Sequence, residues 1–313
     1  MLDQSADFIE KRVEPVCKAL NGLGVGISLV MVILVTAHVL CRYLLSRPLV
    51  GAVELEELML VVLVFLGMAY TQSNKQHISV DFLTSRLTEK AQNILCAATS
   101  LLSGVLFLVI AWQSIVLSET YIEKGVGTLF LQIPLFPFMW IIALSFLLLG
   151  LVLFKDFLRA TSRAVREETG PWVFIIIMVG IFLLAALPFW LNLFVPRIGL
   201  RVAQVLGLSA LLIFLFSGML IGAGLAFLGA LGMALLFGPN AGLGLFKTVP
   251  LSTTASYSLC VIPFFILMGE ICFHSGLSEK LYRVAYKWVG HFRGGLSMAT
   301  VLACGAFAAV SGS

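Results

Sequence analysis

Charged side chains are scarce in this sequence. They make up 12% of its 313 residues, about half the roughly 25% of an ordinary soluble domain. Hydrophobic residues account for 60%, and the mean hydropathy is +1.06. That leaves too little polar surface to clothe a water-soluble globule. An ordinary cytosolic enzyme, a nucleic-acid-binding domain and a disordered regulator are thereby excluded. Paired cysteines are also lacking. Cys17, Cys41, Cys96, Cys260, Cys272 and Cys304 are scattered without a CxxC spacing, so they read as small buried hydrophobes rather than a zinc or redox site. No HExxH spacing joins the histidines, which leaves an intramembrane metalloprotease without support, and no filter motif points to a channel. A secretory signal is missing as well. The first residues mix Asp3, Asp7, Glu10, Lys11, Arg12 and Glu14, and the apolar block behind them is too long for a signal core and has no small-residue cleavage site, so it reads as a retained helix.

What the chain has is long apolar blocks. They run Leu23–Cys41, Leu58–Tyr70 with an amphipathic lead-in from Val50, Ile94–Leu117, Leu131–Phe154, Trp172–Val195, Ile198–Phe237 and Leu259–Phe273. Blocks of this kind predict an all-α integral membrane protein rather than a β-barrel. Built as one helix, Ile198–Phe237 would reach about 60 Å, twice the ~30 Å hydrocarbon core. It is therefore predicted to be two spans, turning at Ser217-Gly218, which gives eight spans before residue 275. With the N-terminus in the cytoplasm, most basic residues fall inside: Lys11, Arg12, Lys18, Lys75, Arg86, Lys90, Lys155, Arg159, Arg163, Arg166, Lys280, Arg283, Lys287 and Arg293. Arg42, Arg47, Lys124, Arg197, Arg201 and Lys247 fall outside. That asymmetry follows the positive-inside rule and requires the two-span reading.

The organisation is bipartite. Residues 1–155 form a four-helix membrane domain, residues 156–197 a polar linker plus a linking transmembrane helix, and residues 198–313 the start of a second membrane unit. In that second unit Gly218, Gly222, Ala226, Ala230 and Ala234 recur every four residues, a stripe for close helix packing. Pro263 interrupts the last full span mid-membrane. Glu270 is the acid within that span, and two roles fit it: an interfacial or helix-pairing one, or handling an ion or proton. Leu277–Phe292 predicts an amphipathic helix on the membrane surface, capped by Ser278, with Lys280, Arg283, Lys287 and His291 on its polar face. After Gly294-Gly295, a run of small residues ends in Ser311-Gly312-Ser313. This is either a frayed terminal helix or half of a re-entrant hairpin, whose carbonyls and hydroxyls would suit Na⁺.

Near the other face, Glu54 and Glu57 share a helix side by their i,i+3 spacing. A solvated or Arg42-paired interface fits them better than a hydrolytic pair or a divalent-metal site. His77 and Asp81 are placed at a helix start, in capping or interface hydrogen bonds, and His38 is placed in the packed interior of the first span.

The stretch Ser256–Ser313 resembles the large membrane subunit of the tripartite ATP-independent periplasmic (TRAP) transporters. The matching features are Pro-Phe-Phe followed by Met-Gly-Glu, Ser-Gly-Leu before the basic arm, Gly290 with Gly294-Gly295, and the closing Ser-Gly-Ser. Residues 1–155 resemble that family's four-helix small subunit, through Arg42-Tyr43, Glu54 with Glu56-Glu57, Gly67 and His77-Ile78-Ser79-Val80-Asp81. Trp172–Val195 is similar to the linker helix of fused versions.

The resemblance implies a secondary transporter in a bacterial inner membrane and not an enzyme. It implies Na⁺-coupled uptake of an organic acid (a dicarboxylate, sialic acid or a similar carboxylate), with Na⁺ as coupling ion and no other cofactor. A soluble periplasmic substrate-binding protein would deliver the substrate and largely set specificity, and nucleic acid has no part. It further implies an inverted repeat that moves as an elevator against the small subunit. Ser311, Gly312 and Ser313 match the tip of the first ion-binding hairpin. Arg42, Glu54 and Glu57 would lie at the periplasmic side, where they could also meet the binding protein. No residue is assigned to the substrate. The second hairpin of the family pattern is expected beyond Ser313, so the visible chain reads as C-terminally incomplete. The alternative is a truncated membrane scaffold without transport activity.

Overall fold

The computed structural model describes residues 2–47, 49–80, 84–166 and 200–311. The expected linking helix Trp172–Val195, Asp81, Gly312 and Ser313 lie outside the described residues. The regular elements among the described residues are helical: α1 (Leu2–Leu44), α2 (Ala52–Ser73), one 3₁₀ turn at Thr84–Arg86, α3 (Glu89–Lys124), α4 (Phe136–Arg166), α5 (Leu200–Phe216), α6 (Ile221–Phe237), α7 (Pro239–Thr254), α8 (Tyr257–Cys260), α9 (Ile262–His274), α10 (Leu277–Val289) and α11 (Gly295–Ser311). Among the described residues, four stretches are long and apolar enough to cross a membrane: Gln4–Leu44, Glu89–Lys124, Phe136–Ala164 and Tyr257–His274. Gly207–Phe216, Ile221–Phe237 and Gly295–Ala308 are shorter apolar helices. Contacts divide the chain into two compact units, Met1–Ala255 and Ser256–Ser313.

The first unit is built on an up-and-down bundle of α1–α4. Local signals fix the helix ends. The Thr88 hydroxyl accepts the Ala91 N–H and caps α3. At the other end of α3, Gly125 turns left-handed (φ +61). The Gly125 N–H bonds to Ile122 O at 3.3 Å and the Val126 N–H to Tyr121 O at 3.1 Å, which closes the helix in a Schellman motif. α3 and α4 pack most extensively. Their core centres on Phe146, whose ring sits 5.5 Å from Phe65 and 5.5 Å from Phe107. The Ser145 hydroxyl donates to Phe65 O, tying α4 to α2 inside this core. α1 packs on α2 and α4 and leaves Leu29, Val30 and Ile33 outward, a surface for lipid.

Within the block 198–237, residues 200–237 form two helices of 17 residues each rather than one. The chain breaks at Ser217–Leu220, where Gly218 takes φ +72 and the Ser217 hydroxyl donates to Phe214 O at 2.7 Å. α7 was not expected. The charge pattern puts Lys247 in an outer loop, with no helix expected between the apolar blocks on either side. The structure makes residues 239–254 a helix starting on Pro239, where a missing N–H is harmless. α7 folds back on α6, and Gly242 explains why. A Cβ there would lie 2.6 Å from Ala230 O and 2.9 Å from Ala234 Cβ. The two alanines belong to the small-residue stripe, which thus serves a close helix–helix approach. α7 also packs on α3, α2 and α4, with Leu251 in the common core alongside Met219 and Ala223.

The second unit contains α8–α11. The Tyr257–His274 stretch is interrupted at Val261, and Pro263 sits in the first turn of α9, where its ring costs no hydrogen bond. Ser278 is not the cap of α10. That helix starts at Leu277, after Gly276 in the left-handed region (φ +71), with no side-chain cap. α10 is amphipathic as expected and packs on α11. Its Trp288 and Val284 remain exposed, and Arg283 bonds Glu279 at 2.6 Å.

Candidate functional site

Three places hold the residues singled out from the sequence. The first is the end of the bundle where α1 finishes, α2 starts and α3 joins α4. Glu54 does not pair with Arg42. Its Oε1 accepts the Phe130 N–H at 2.7 Å and its Oε2 accepts the Leu131 N–H at 3.0 Å. The loop between α3 and α4 is further closed by Thr128 N–H to Ile133 O at 3.0 Å, Leu135 N–H to Val126 O at 3.1 Å, and Ile133 N–H to the Thr128 hydroxyl at 3.1 Å. Glu54 lies ahead of the Leu58–Tyr70 apolar stretch. Partial desolvation pushes its carboxyl up, but the backbone donors of Leu131 and Phe130 outweigh this and hold it below the usual carboxylate range. The clamped loop presents Leu129 (90% exposed) and Phe130 (73% exposed) outward. Arg42 instead lies in the last turn of α1 with its guanidinium 5.8 Å from the Tyr43 ring. Glu57 is half-buried on the same turn of α2 as Glu54.

At the opposite end, the polar start of α1 lies along the end of α4. Arg159 bonds Asp7 at 2.9 Å and also binds Glu10. Lys155, 6% exposed at its side chain, lies 3.4 Å from Glu10 and 3.8 Å from Asp156. The Gln72 amide donates to Asp156 at 3.2 Å, adding the end of α2. The Arg159 hydrogen bond, aided by Lys155, holds the Glu10 carboxyl below its ordinary range against a smaller upward push from burial. His77 is not at a helix start. It lies in the loop after α2, its Nε2 3.3 Å from Met68 O.

The second unit holds Glu270 and Ser311. Glu270 lies near the end of α9, 66% exposed, with its Oε2 3.5 Å from His274 Nε2 one turn on. Ser311 is the last residue of α11, which at ~1.5 Å per residue is about 25 Å long and shorter than the hydrocarbon core. The structure thus brings Glu54 to a loop that sequence spacing never connected to it.

Helices long and apolar enough to cross a membrane, four of them among the described residues, make this a multi-pass membrane protein. Two family models match it in succession: the DctQ component of tripartite ATP-independent periplasmic transporters over residues 31–163, and the DctM component of the same transporters over residues 208–313. The chain belongs to the tripartite ATP-independent periplasmic transporter family, whose members are permeases and not enzymes. It is 25% identical over 291 residues to the isethionate TRAP transporter permease protein DctMQ of Oleidesulfovibrio alaskensis, covering 91% of this chain and 44% of that protein. It is 25% identical over 296 residues to the sialic acid TRAP transporter permease protein SiaT of Haemophilus influenzae, covering 88% of this chain and 45% of that one. Over 61 residues, 20% of the chain and 14% of the relative, identity reaches 49% to the C4-dicarboxylate TRAP transporter large permease protein DctM of Pseudomonas aeruginosa. The chain spans less than half the length of the two relatives that it matches throughout.

Proposed function

We propose that this chain is the membrane permease component of a Na⁺-coupled secondary transporter that imports an organic acid handed over by a periplasmic substrate-binding protein. The observation that carries the reading is the order of the two family matches on one chain, small component first. The names of the relatives add the substrate class, since isethionate, sialic acid and C4-dicarboxylates are all organic acids. The protein sits in a bacterial inner membrane with its N-terminus cytoplasmic, which keeps Lys155, Arg159 and Arg163 inside. Residues 1–155 act as scaffold, residues 156–197 link, and residues 198–313 begin the transport unit. In that unit Ser311, Gly312 and Ser313 supply hard oxygen ligands to Na⁺.

Uptake measurements test this. Cells carrying the intact locus and its binding protein should accumulate labelled carboxylate only with external Na⁺, and Ser311→Ala should raise the Na⁺ concentration required. Uptake in Na⁺-free medium would refute the coupling, and unchanged Na⁺ dependence in the variant would refute the ligand assignment. The second reading, a scaffold that moves no solute itself, draws on the closely packed α1–α4 core. Assembly without any uptake would favour it.

A further inference from the structure

The first unit holds an open cavity of about 570 Å³ at its basic end, walled by the start of α1, the end of α2 and the loop after it, the first half of α3, the end of α4 and the α5–α6 turn. This is within the usual size of small-molecule sites, about 300–1,000 Å³. It straddles the point where the apolar stretches of α2, α3 and α4 give way to polar residues, the depth of a lipid headgroup. Its charged lining is four cations, Lys75, Lys155, Arg159 and Arg163, against two carboxylates, Glu10 and Asp156.

These groups are not equivalent. Lys155 and Arg159 are committed to Glu10, Asp7 and Asp156. Lys75 and Arg163 stand exposed at the rim, with no ion-pair partner among the described residues. Deeper in, two buried wall residues carry unanswered polar atoms. Gln72 donates its amide to Asp156, so its Oε1 must face elsewhere, and that oxygen has no partner. The Ser103 hydroxyl, on a residue 1% exposed, has none either. A buried acceptor left unpaired is costly unless something supplies a donor.

We propose that this cavity binds a phosphate-bearing anion carrying hydroxyl groups, a phosphoglycerol, with its phosphate on Lys75 and Arg163 and its hydroxyls against Gln72 and Ser103. Two sources present that chemistry: the headgroup of an anionic phospholipid, and soluble glycerol phosphate. Basic pockets between helices at a membrane surface recognise anionic headgroups in this way.

Lipid retention and thermal unfolding of the purified full chain test the proposal. The protein is exchanged into detergent micelles containing phosphatidylglycerol or phosphatidylcholine at equal mole fraction, and bound lipid is counted by native mass spectrometry. Phosphatidylglycerol should be retained and phosphatidylcholine should not. The double variant Lys75→Gln/Arg163→Gln should lose retention roughly tenfold or more. Lys280→Gln/Lys287→Gln, which removes the same charge from α10, should leave it intact. In a parallel arm, sn-glycerol 3-phosphate and inorganic phosphate are added to lipid-free protein. A rise in unfolding temperature with glycerol 3-phosphate, absent in Lys75→Gln/Arg163→Gln and without lipid retention, would identify the soluble source. Equal losses in both double variants would reduce the effect to overall surface charge and overturn the site. Equal retention of the two lipids with no response to glycerol 3-phosphate would also overturn it.

Discussion

Gly242 and Gly244 lie two residues apart on α7 and make opposite demands on an added methyl group. At Gly242 a Cβ would meet Ala230 O at 2.6 Å and Ala234 Cβ at 2.9 Å. Both atoms belong to or sit directly on the backbone of α6, so neither can swing aside. At Gly244 nothing lies within 4 Å. Replacing a helical glycine by alanine gains roughly 0.5–1 kcal/mol of backbone entropy at either site. Forcing an extra methyl into a closely fitted contact costs about 1–3 kcal/mol. The entropic gain is common to both variants and cancels between them. The gap in stability between Gly244→Ala and Gly242→Ala therefore reads the overpacking alone, about 1–3 kcal/mol, with Gly244→Ala the more stable. Thermal unfolding of detergent-solubilised protein, followed by the monodisperse fraction on size exclusion, measures it as a separation of several degrees. Equal transitions for the two variants would show that α6 and α7 do not approach at the Ala230–Ala234 stripe.

Glu54→Gln should loosen the α3–α4 loop, raising hydrogen exchange at the Phe130 and Leu131 amides while α3 and α4 stay protected. Because the folded carboxyl titrates below its ordinary range, the clamp is fully present above that range and is lost as pH falls through the lowered value. Rate-corrected protection at these two amides should drop only on acidification. Glu10→Gln should release the start of α1 from Arg159 and weaken its docking by at most about 1 kcal/mol, since the pair is partly exposed. Limited proteolysis within residues 2–20 should accelerate, and in the unaltered protein the same release should appear only in acid, because Glu10 too is held low. In a cysteine-free background, Leu129→Cys on the exposed α3–α4 loop should react with an impermeant maleimide added outside intact cells. Labelling only after permeabilisation would invert the proposed orientation.

The parts of the fold that the chain announces are those set by composition and by short-range stereochemistry. The division of 198–237 was legible because its length exceeds a bilayer and Ser217-Gly218 offers a left-handed turn, which Gly218 adopts at φ +72. The amphipathic α10 was legible from its charge spacing. α7 was hidden because Gly238, Pro239 and Pro250 are loop signals by propensity, and only the tertiary contact of Gly242 with Ala230 and Ala234 overrides them. At the candidate sites, Glu54 was conspicuous as one of a pair of acids on one helix face. Its true partners are backbone amides of a distant loop, which have no side-chain signature. Gln72 and Ser103 were invisible for a related reason: a buried, unanswered polar atom is a property of packing, and neither residue type is unusual in a helix.

The lengths of α1, α3 and α4 bear on how the protein meets membranes of different thickness. They contain 43, 36 and 31 residues, so at ~1.5 Å per residue each exceeds a ~30 Å hydrocarbon slab. On α1 and α4 the surplus is itself packed, through Asp7, Glu10, Lys155 and Arg159. A thicker or thinner bilayer can therefore shift its boundary along helices that remain bundled, instead of tilting them against one another. Hydrophobic mismatch, which reorients many transmembrane helices, should leave the crossing geometry of this bundle largely unchanged.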